Sequence, residues 1–369
     1  MQIDRLSLRG FRNYEDAQAQ FVPGVNLLVG GNANGKTNLL EAVSYLSTGR
    51  SFRTRREAEL IRFGADFAEL RAQVQSQERT RELRAVLFSG RRPRQLWLAG
   101  VRQRSRAALS GVLTSVLFCP EDLMILKKGA AGRRRLMDGV ICQLRPNYEA
   151  ALAEYGRLLD QKSALLRERY ENPSLLQVLP EYDLRMAQTG ALVISYRARY
   201  VKALAQEAAR YHREFSGDSE TLELTYRTVS TVTDPFAPPE TLCAQLQEHQ
   251  RSHARAELES AQCLSGPHKD DFEAVINGLP VTQFASQGQT RTAVISLKLA
   301  ERALLRQGTG ETPVLLLDDV LSELDAGRQD FVLNQLREGQ VFITCCETDR
   351  LTSLGQVLSI RSGTIGGAQ

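Results

Sequence analysis

The stretch Gly30-Gly31-Asn32-Ala33-Asn34-Gly35-Lys36-Thr37 decides the reading of this chain. It fits the pattern G-x-x-x-x-G-K-[ST], and its surroundings give the match its weight. Upstream, Val25-Asn26-Leu27-Leu28-Val29 is a short apolar run expected as a buried strand, and downstream Asn38 to Leu46 carries apolar residues at helical spacing. Strand, glycine-rich loop and helix is the order a phosphate cradle requires. Gly30 and Gly35 permit backbone angles that turn successive N–H groups inward around an anion. The following helix points its positive end at the same place. Lys36 is expected to reach the β- and γ-phosphates of a nucleotide, and the Thr37 hydroxyl to take a place on Mg2+. The stretch reads as a nucleotide site.

Outward from that site, 369 residues with 42% hydrophobic and 24% charged side chains describe a soluble globular chain of one large or two ordinary domains. Met1-Gln2-Ile3-Asp4-Arg5 carries charge where a signal peptide is apolar, and the longest apolar runs are far too short to cross a bilayer. A cytoplasmic protein with no membrane partner is expected. Cys119, Cys142, Cys243, Cys263, Cys345 and Cys346 show no C-x-x-C and no metal spacing with histidine, which fits a reducing compartment. The net charge is only +4, but arginine is clustered: Arg50, Arg53, Arg55 and Arg56, then Arg91, Arg92, Arg94, Arg102, Arg104 and Arg106, then Arg133-Arg134-Arg135. Guanidinium forks match phosphate oxygens, so Arg53, Arg55, Arg56, Arg91, Arg92 and Arg94 are expected to meet a nucleic-acid phosphate backbone. A solvated face with local glutamate partners accounts for any single cluster equally well.

In chain order, Gln2 to Arg9 alternates and reads as an edge-like strand, with Phe11-Arg12-Asn13-Tyr14 a turn before the cradle strand. Ala68 to Val74, Arg81 to Phe88 and Arg94 to Leu98 read as an antiparallel meander punctuated by Gly90 and Gly100. Ser115 to Cys119 is a buried strand stopped by Pro120. Apolar residues at helical spacing predict two long helices, one over 136–169 and one over 187–215, and a more polar third from Pro239 to Gln262. A helical excursion between halves of a nucleotide-binding core is the simplest reading, and a separate helical domain uncoupled from the nucleotide fits the pattern too. Strands return after Ser265, with a hairpin at Asn277-Gly278, an amphipathic helix over Thr290 to Arg306, and strands at Val314, Val341 and Val357. The expected fold is α/β, a mixed sheet with an antiparallel meander and an inserted helical arm. The expected domains are 1–120 plus 265–369 for the nucleotide-binding head and 121–264 for the arm.

Leu315-Leu316-Leu317-Asp318-Asp319 is an apolar strand ending in acid, which delivers carboxylates beside the cradle. Asp318 is expected to hold Mg2+, and Asp319 to orient or deprotonate the attacking water, so that Lys36, Asp318 and Asp319 form the catalytic set. Ala285-Ser286-Gln287-Gly288-Gln289 opens a helix, and Ser322-Glu323-Leu324-Asp325 follows the acidic strand. Their order is similar to that of ABC-type ATPases. In that class, the resemblance implies, Ser286, Gly288 and Gln289 contact the γ-phosphate held by a second copy, so the active form is an ATP-dependent homodimer. An anion site at a helix's positive end gives this a physical basis.

Finer motifs narrow the resemblance. Leu8-Arg9-Gly10-Phe11-Arg12-Asn13-Tyr14, Gly31 to Asn38, Gly49-Arg50-Ser51-Phe52-Arg53-Thr54 and Gly266-Pro267-His268-Lys269-Asp270-Asp271 together resemble the RecF family of SMC-like ABC ATPases over essentially the whole chain. The resemblance implies an ATPase head with a short helical arm, ATP and Mg2+ as cofactors, and binding to duplex DNA near gaps or junctions. It also implies work with RecO and RecR in loading a recombinase. By the same resemblance Arg12, Asn13 and Asn38 join Gly30 to Thr37 around the nucleotide, and Thr54 to Arg56 lie near DNA. Three departures from the wider ABC class predict slow hydrolysis: Asp319 where that class has glutamate, Cys345 where it has histidine after Thr344, and no glutamine near Phe118 to Asp122. A cytoplasmic ABC-type ATPase subunit serving another partner is the alternative. His268 fits a structural turn at least as well as a catalytic role.

Overall fold

A computed structural model describes residues 1–77, 79–169, 171–336, 338–346 and 352–366. The chain divides into two compact units, Met1–Met124 with Arg291–Gln369, and Ile125–Thr290. The first unit opens with β1 (Gln2–Phe11), β2 (Tyr14–Gln20), β3 (Val25–Val29), α1 (Lys36–Thr48), β4 (Phe67–Ser76), β5 (Arg79–Phe88), β6 (Gln95–Leu98), β7 (Val101–Gln103) and β8 (Ser115–Phe118). The second supplies α2 (Ala130–Leu144), α3 (Pro146–Glu168), α4 (Leu179–Ser216), β9 (Leu222–Arg227), α5 (Pro239–Ser260), β10 (Asp271–Ile276), β11 (Leu279–Pro280) and α6 (Val281–Phe284). Then come α7 (Gln287–Thr309), which begins in the second unit and continues in the first, β12 (Val314–Leu317), α8 (Ala326–Asn334), β13 (Val341–Cys345), β14 (Gly355–Arg361) and β15 (Thr364–Gly366).

In the first unit a six-stranded sheet has the order β15-β14-β3-β13-β12-β8, parallel apart from β15. Its central strands are apolar without alternation because both faces are covered: all four residues of β12 are buried. The second sheet, β2-β1-β4-β5-β6-β7, is antiparallel throughout. One core joins the inward residues of both, among them Ile3, Leu6, Leu8, Leu28, Leu70, Leu316 and Phe342, together with Leu39, Leu40 and Val43 of α1.

Two expectations for this unit are corrected. β1 is interior, paired on both sides by β2 and β4. Phe11-Arg12-Asn13-Tyr14 is a turn, but it leads into β2 before β3. β2 escaped notice because its buried residues include Ala17 and Ala19, too small to raise an alternating signal among Glu15, Asp16, Gln18 and Gln20.

In the second unit, the single helix expected over 136–169 is two, α2 and α3. Arg145 is extended (φ −131°) and Pro146 opens α3, where a missing N–H costs nothing. The helix expected from 187 begins earlier: α4 runs 38 residues from Leu179 to a Gly217 cap at φ 59°. The stretch 265–290, read from sequence with the head, groups with the second unit, where β10 pairs with β9 along its whole length. The Gly266 to Asp271 motif is the polar centre of this unit. Arg197 of α4 donates to Asp270 Oδ2 at 2.9 Å, to Pro267 O at 2.6 Å and to both oxygens of Asp138 at 2.9 and 3.0 Å. Tyr226 and Thr228 donate to Asp270, and Arg133 grips Asp271 with two bonds at 2.6 and 2.8 Å.

His268 belongs to the same turn. Its Nε2 lies 2.9 Å from Cys263 O and its Nδ1 2.6 Å from Tyr155 Oη. A carbonyl only accepts, so the proton sits on Nε2 and Tyr155 donates to Nδ1. Burial pushes the imidazole down to about 4, so it is neutral at pH 7 and serves the turn.

Candidate functional site

β3 ends at Val29 and α1 begins at Lys36, so the glycine-rich segment is the connection between them. Two glycines are required by close approach. A Cβ on Gly30 would lie 2.2 Å from Ile360 O, and one on Gly35 (φ 113°) would lie 2.7 Å from Asn13 Nδ2. The loop is braced by β1–β2 on one side and by the β14–β15 turn on the other. Asn13 Nδ2 donates to Asn34 O at 3.0 Å, Tyr14 Oη to Gly35 O at 2.9 Å, and Gly363 N to Asn34 O at 3.1 Å. Asn32 and Ala33 at its tip are exposed.

Lys36 is buried and folds back over the loop, donating to Gly30 O at 2.7 Å and Gly31 O at 3.3 Å, with Cys346 Sγ at 3.4 Å. It makes no ion pair among the described residues. Thr37 Oγ1 donates to Asp318 Oδ1 at 2.9 Å. Asp318 and Asp319 stand at the end of β12, beside β13 in parallel register. Thr344 of β13 joins them: its Oγ1 is 3.0 Å from Asp318 Oδ1 and 3.2 Å from Asp319 Oδ1, and it accepts from the Asp319 N–H at 2.7 Å. Asp319 itself has φ 50°, a left-handed conformation uncommon for a residue with a side chain. Burial raises the Asp318 pKa, opposed by hydrogen bonds from Thr37 and Thr344.

This donor set fits a magnesium nucleotide. A hydroxyl and a carboxylate converge within one hydrogen bond, and no group of three or more His, Cys, Asp or Glu forms a metal site among the described residues. Such a pair suits Mg2+, which keeps waters and takes phosphate oxygens beside one or two protein ligands.

Around the cradle the sequence-expected residues take distinct places. Arg12 (φ 53°) gives its guanidinium to Glu41 of α1 through two bonds of 2.8 Å, and to Glu59 O at 2.8 Å. Asn38 donates to Asn13 Oδ1 at 2.8 Å and accepts from Arg53 at 2.7 Å. Glu41, wholly buried, also accepts from Ser51 and lies 3.8 Å from Arg53. Nothing in the sequence marked Glu41, because an acid in an amphipathic helix reads as surface, and Thr344 entered only as the residue before Cys345, not as a partner of the two aspartates.

Ser286 and Gln289 lie at the start of α7. Ser286 Oγ accepts from the Gln289 N–H at 3.1 Å, and Gln289 Oε1 accepts from the Ser286 N–H at 3.0 Å. Gly288 lies between them, half-buried. Asp325 caps α8 by accepting from Arg328 N at 3.1 Å.

The arginine clusters separate into two kinds. Arg53, Arg55, Arg56, Arg91 and Arg92 are exposed. Arg94, expected at DNA, is half-buried and engaged with Glu57, with Gly49 O at 2.8 Å and with Tyr45 Oη at 3.2 Å, so it holds the end of α1. Arg133 is likewise consumed by Asp271.

A family model described as the RecF/RecN/SMC N terminal domain matches residues 2–365. The "DNA replication and repair protein RecF" of Symbiobacterium thermophilum is 40% identical, over 99% of this chain and 98% of its own. This chain belongs to the RecF family. A second RecF, from Synechococcus sp., is 38% identical over 99% of this chain and 97% of its own. Among solved structures, the recombination mediator protein RecF-ATPrS in the RecFOR pathway superposes with a TM-score of 0.91 at 31% identity, covering 99% of this chain and 98% of that one. A RecF-ATP structure gives 0.90 at 32% identity, covering 100% and 97%. The Smc head domain of Pyrococcus furiosus shares the fold at a TM-score of 0.54 and 17% identity, over 98% of this chain and 94% of that one. RecF proteins are SMC-like ATPases that bind ATP, and the Lys36, Thr37 and Asp318 constellation is where a nucleotide fits this chain. No helix among the described residues is long and apolar enough to cross a membrane.

Proposed function

We propose that this chain is an ATP-driven DNA-binding switch of recombinational repair, acting as a RecF. The observation that carries the reading is the meeting of Lys36, Thr37, Asp318, Thr344 and Asp319 at one end of the parallel sheet. Bound there, Mg2+ neutralises phosphate charge, with Thr37 and Asp318 as its protein ligands. Lys36 trades loop carbonyls for phosphate oxygens. Asp319, steadied through its own N–H by Thr344, orients the attacking water. Its side chain is one methylene shorter than glutamate and the position after Thr344 is Cys345, so turnover is slow and ATP acts as a timer.

The remaining phosphate contacts come from Ser286, Gly288 and Gln289 of a second copy, which makes the ATP-bound form a homodimer. Duplex DNA, near gaps or junctions, meets the exposed Arg53, Arg55, Arg56, Arg91 and Arg92, and DNA raises ATP turnover. RecO and RecR are the partners that the family relationship supplies, and the cytoplasm is the compartment.

Light scattering with Mg-ATP, with ADP, and with added short duplex tests this reading. A monomer-to-dimer shift with ATP alone is expected, and Ser286→Arg should abolish the shift while leaving monomer ATP binding intact. A monomer under every condition, DNA included, would overturn the dimeric switch.

A further inference from the structure

Gln289 is tied in three directions within the second unit. Two of them close a capping box with Ser286, in which each side chain satisfies the other residue's backbone donor at the start of α7. The third bond runs outward: Gln289 Nε2 donates to Glu220 Oε1 at 2.8 Å.

Glu220 is rigidly mounted in the turn between α4 and β9. Gly217 and Asp218 both have positive φ, at 59° and 61°. The Glu220 N–H donates to Ser216 Oγ at 3.3 Å, and the next residue, Thr221, donates from its N–H to Asn277 Oδ1 at 2.8 Å. The other carboxylate oxygen, Glu220 Oε2, lies 3.0 Å from His212 Nε2. A carboxylate accepts, so His212 holds its proton on Nε2. His212 has no exposed surface, and its Nδ1 has no hydrogen-bond partner among the described residues. A buried ring nitrogen left unpaired is uncommon and calls for a reason. Here the imidazole hydrogen-bonds the carboxylate that holds Gln289.

We propose that Glu220 is a positioning residue for the phosphate-sensing end of α7. Held by His212 of α4, it fixes the Gln289 side chain that closes the capping box. It thereby presents Ser286 and the first turn of α7 to the γ-phosphate on a second copy of this chain. The inference rests on the trans role of Ser286 and Gln289 proposed above. Without Glu220 the Gln289 amide loses its outer anchor, the Ser286 N–H loses its acceptor when that side chain swings away, and the helix start frays. Because His212 lies in the last turns of α4, the same chain of bonds makes the start of α7 responsive to any shift of that helix.

The test compares the full-length protein with Glu220→Ala and Glu220→Gln, using a fluorescent ATP analogue for monomer binding and light scattering for the ATP-dependent dimer. Glu220→Ala should raise the dimer dissociation constant about tenfold, an ordinary size for coupling between sites, with monomer nucleotide affinity held within about twofold. Glu220→Gln keeps an acceptor for Gln289 and gains a donor for His212 in its other tautomer. It should restore dimerisation to within about twofold, whereas Glu220→Met, which keeps the side-chain length without a strong acceptor, should not, so that lost hydrogen bonding is told from lost packing. Unchanged dimerisation of Glu220→Ala, or no recovery in Glu220→Gln, would overturn the role of Glu220. A wild-type chain that stays monomeric with ATP would instead overturn the trans reading beneath it.

Discussion

Two buried polar centres in this molecule solve the same electrostatic problem in opposite ways. In the second unit, Arg197 lies between Asp138 and Asp270, Arg133 closes on Asp271, and tyrosine and threonine hydroxyls fill the remaining acceptor positions. Each buried charge finds an opposite charge in the chain. In the first unit, Lys36 meets two carbonyls and a thiol, and Asp318 meets two hydroxyls; neither makes an ion pair among the described residues. A buried charge is costly until it is paired, so the first centre is left to be completed from outside and the second is closed. An anion would pair with Lys36 and a cation with Asp318, which is the composition of the magnesium nucleotide proposed above. The Gly266-Pro267-His268-Lys269-Asp270-Asp271 motif thus serves the fold of this chain, and the glycine-rich loop is the segment proposed to hold the ligand.

That contrast is easiest to break at the closed centre. Arg197→Met strips Asp138 and Asp270 of their shared cation, and removing one partner of a buried pair costs about 3–5 kcal/mol. Denaturant unfolding should show a loss of that size, with ATP affinity of the folded protein unchanged. A shift below about 1 kcal/mol would mean that the network is not the stabilising centre described here. The open centre should respond the other way round. Lys36→Met should weaken ATP binding about a hundredfold, or about 2.7 kcal/mol, as measured by titration. It should change the unfolding free energy of the nucleotide-free protein by less than about 1 kcal/mol, because only hydrogen bonds to loop carbonyls and a thiol contact are lost. If stability falls more than affinity, Lys36 belongs with the structural charges.

What the sequence made legible follows the same division. The cradle, the acids of β12 and the helix start at Ser286 are each carried by contiguous residues whose spacing states their geometry. Thr344 was invisible as a site residue, because its meeting with Asp318 depends on parallel pairing between residues 26 positions apart. Glu41 was hidden for a similar reason: its partner Arg12 lies 29 positions away, across a hairpin turn. Arginine clustering could not tell Arg94, locked onto Glu57, from Arg91 and Arg92, because composition carries no burial. The break at Pro146 was present in the sequence but was overridden by apolar periodicity that runs through it. A proline in the first turn interrupts the backbone without interrupting the pattern.

The smallest effect expected is also the sharpest in sign. Burial raises the Asp318 pKa above its ordinary value, with the neighbouring Asp319 adding to the rise and hydrogen bonds from Thr37 and Thr344 opposing it. A carboxyl whose folded pKa is raised stabilises the fold fully below its unfolded pKa, and that contribution is lost as pH rises through the folded pKa. The carboxylate form of Asp318 is therefore a net burden on the nucleotide-free protein. Asp318→Asn removes the charge and keeps an oxygen for Thr37 and Thr344. Without nucleotide it should raise the thermal midpoint at pH 7 by about 1–2 °C and flatten the loss of stability as pH rises above the ordinary carboxylate range. With Mg-ATP the order should reverse, since the wild-type carboxylate gains its cation and the amide does not. Scanning calorimetry of both proteins, with and without Mg-ATP, decides the matter. A variant less stable than wild type in the nucleotide-free state would show that Asp318 is already compensated within the chain, and the distinction between an open and a closed centre would fail at its most exposed point.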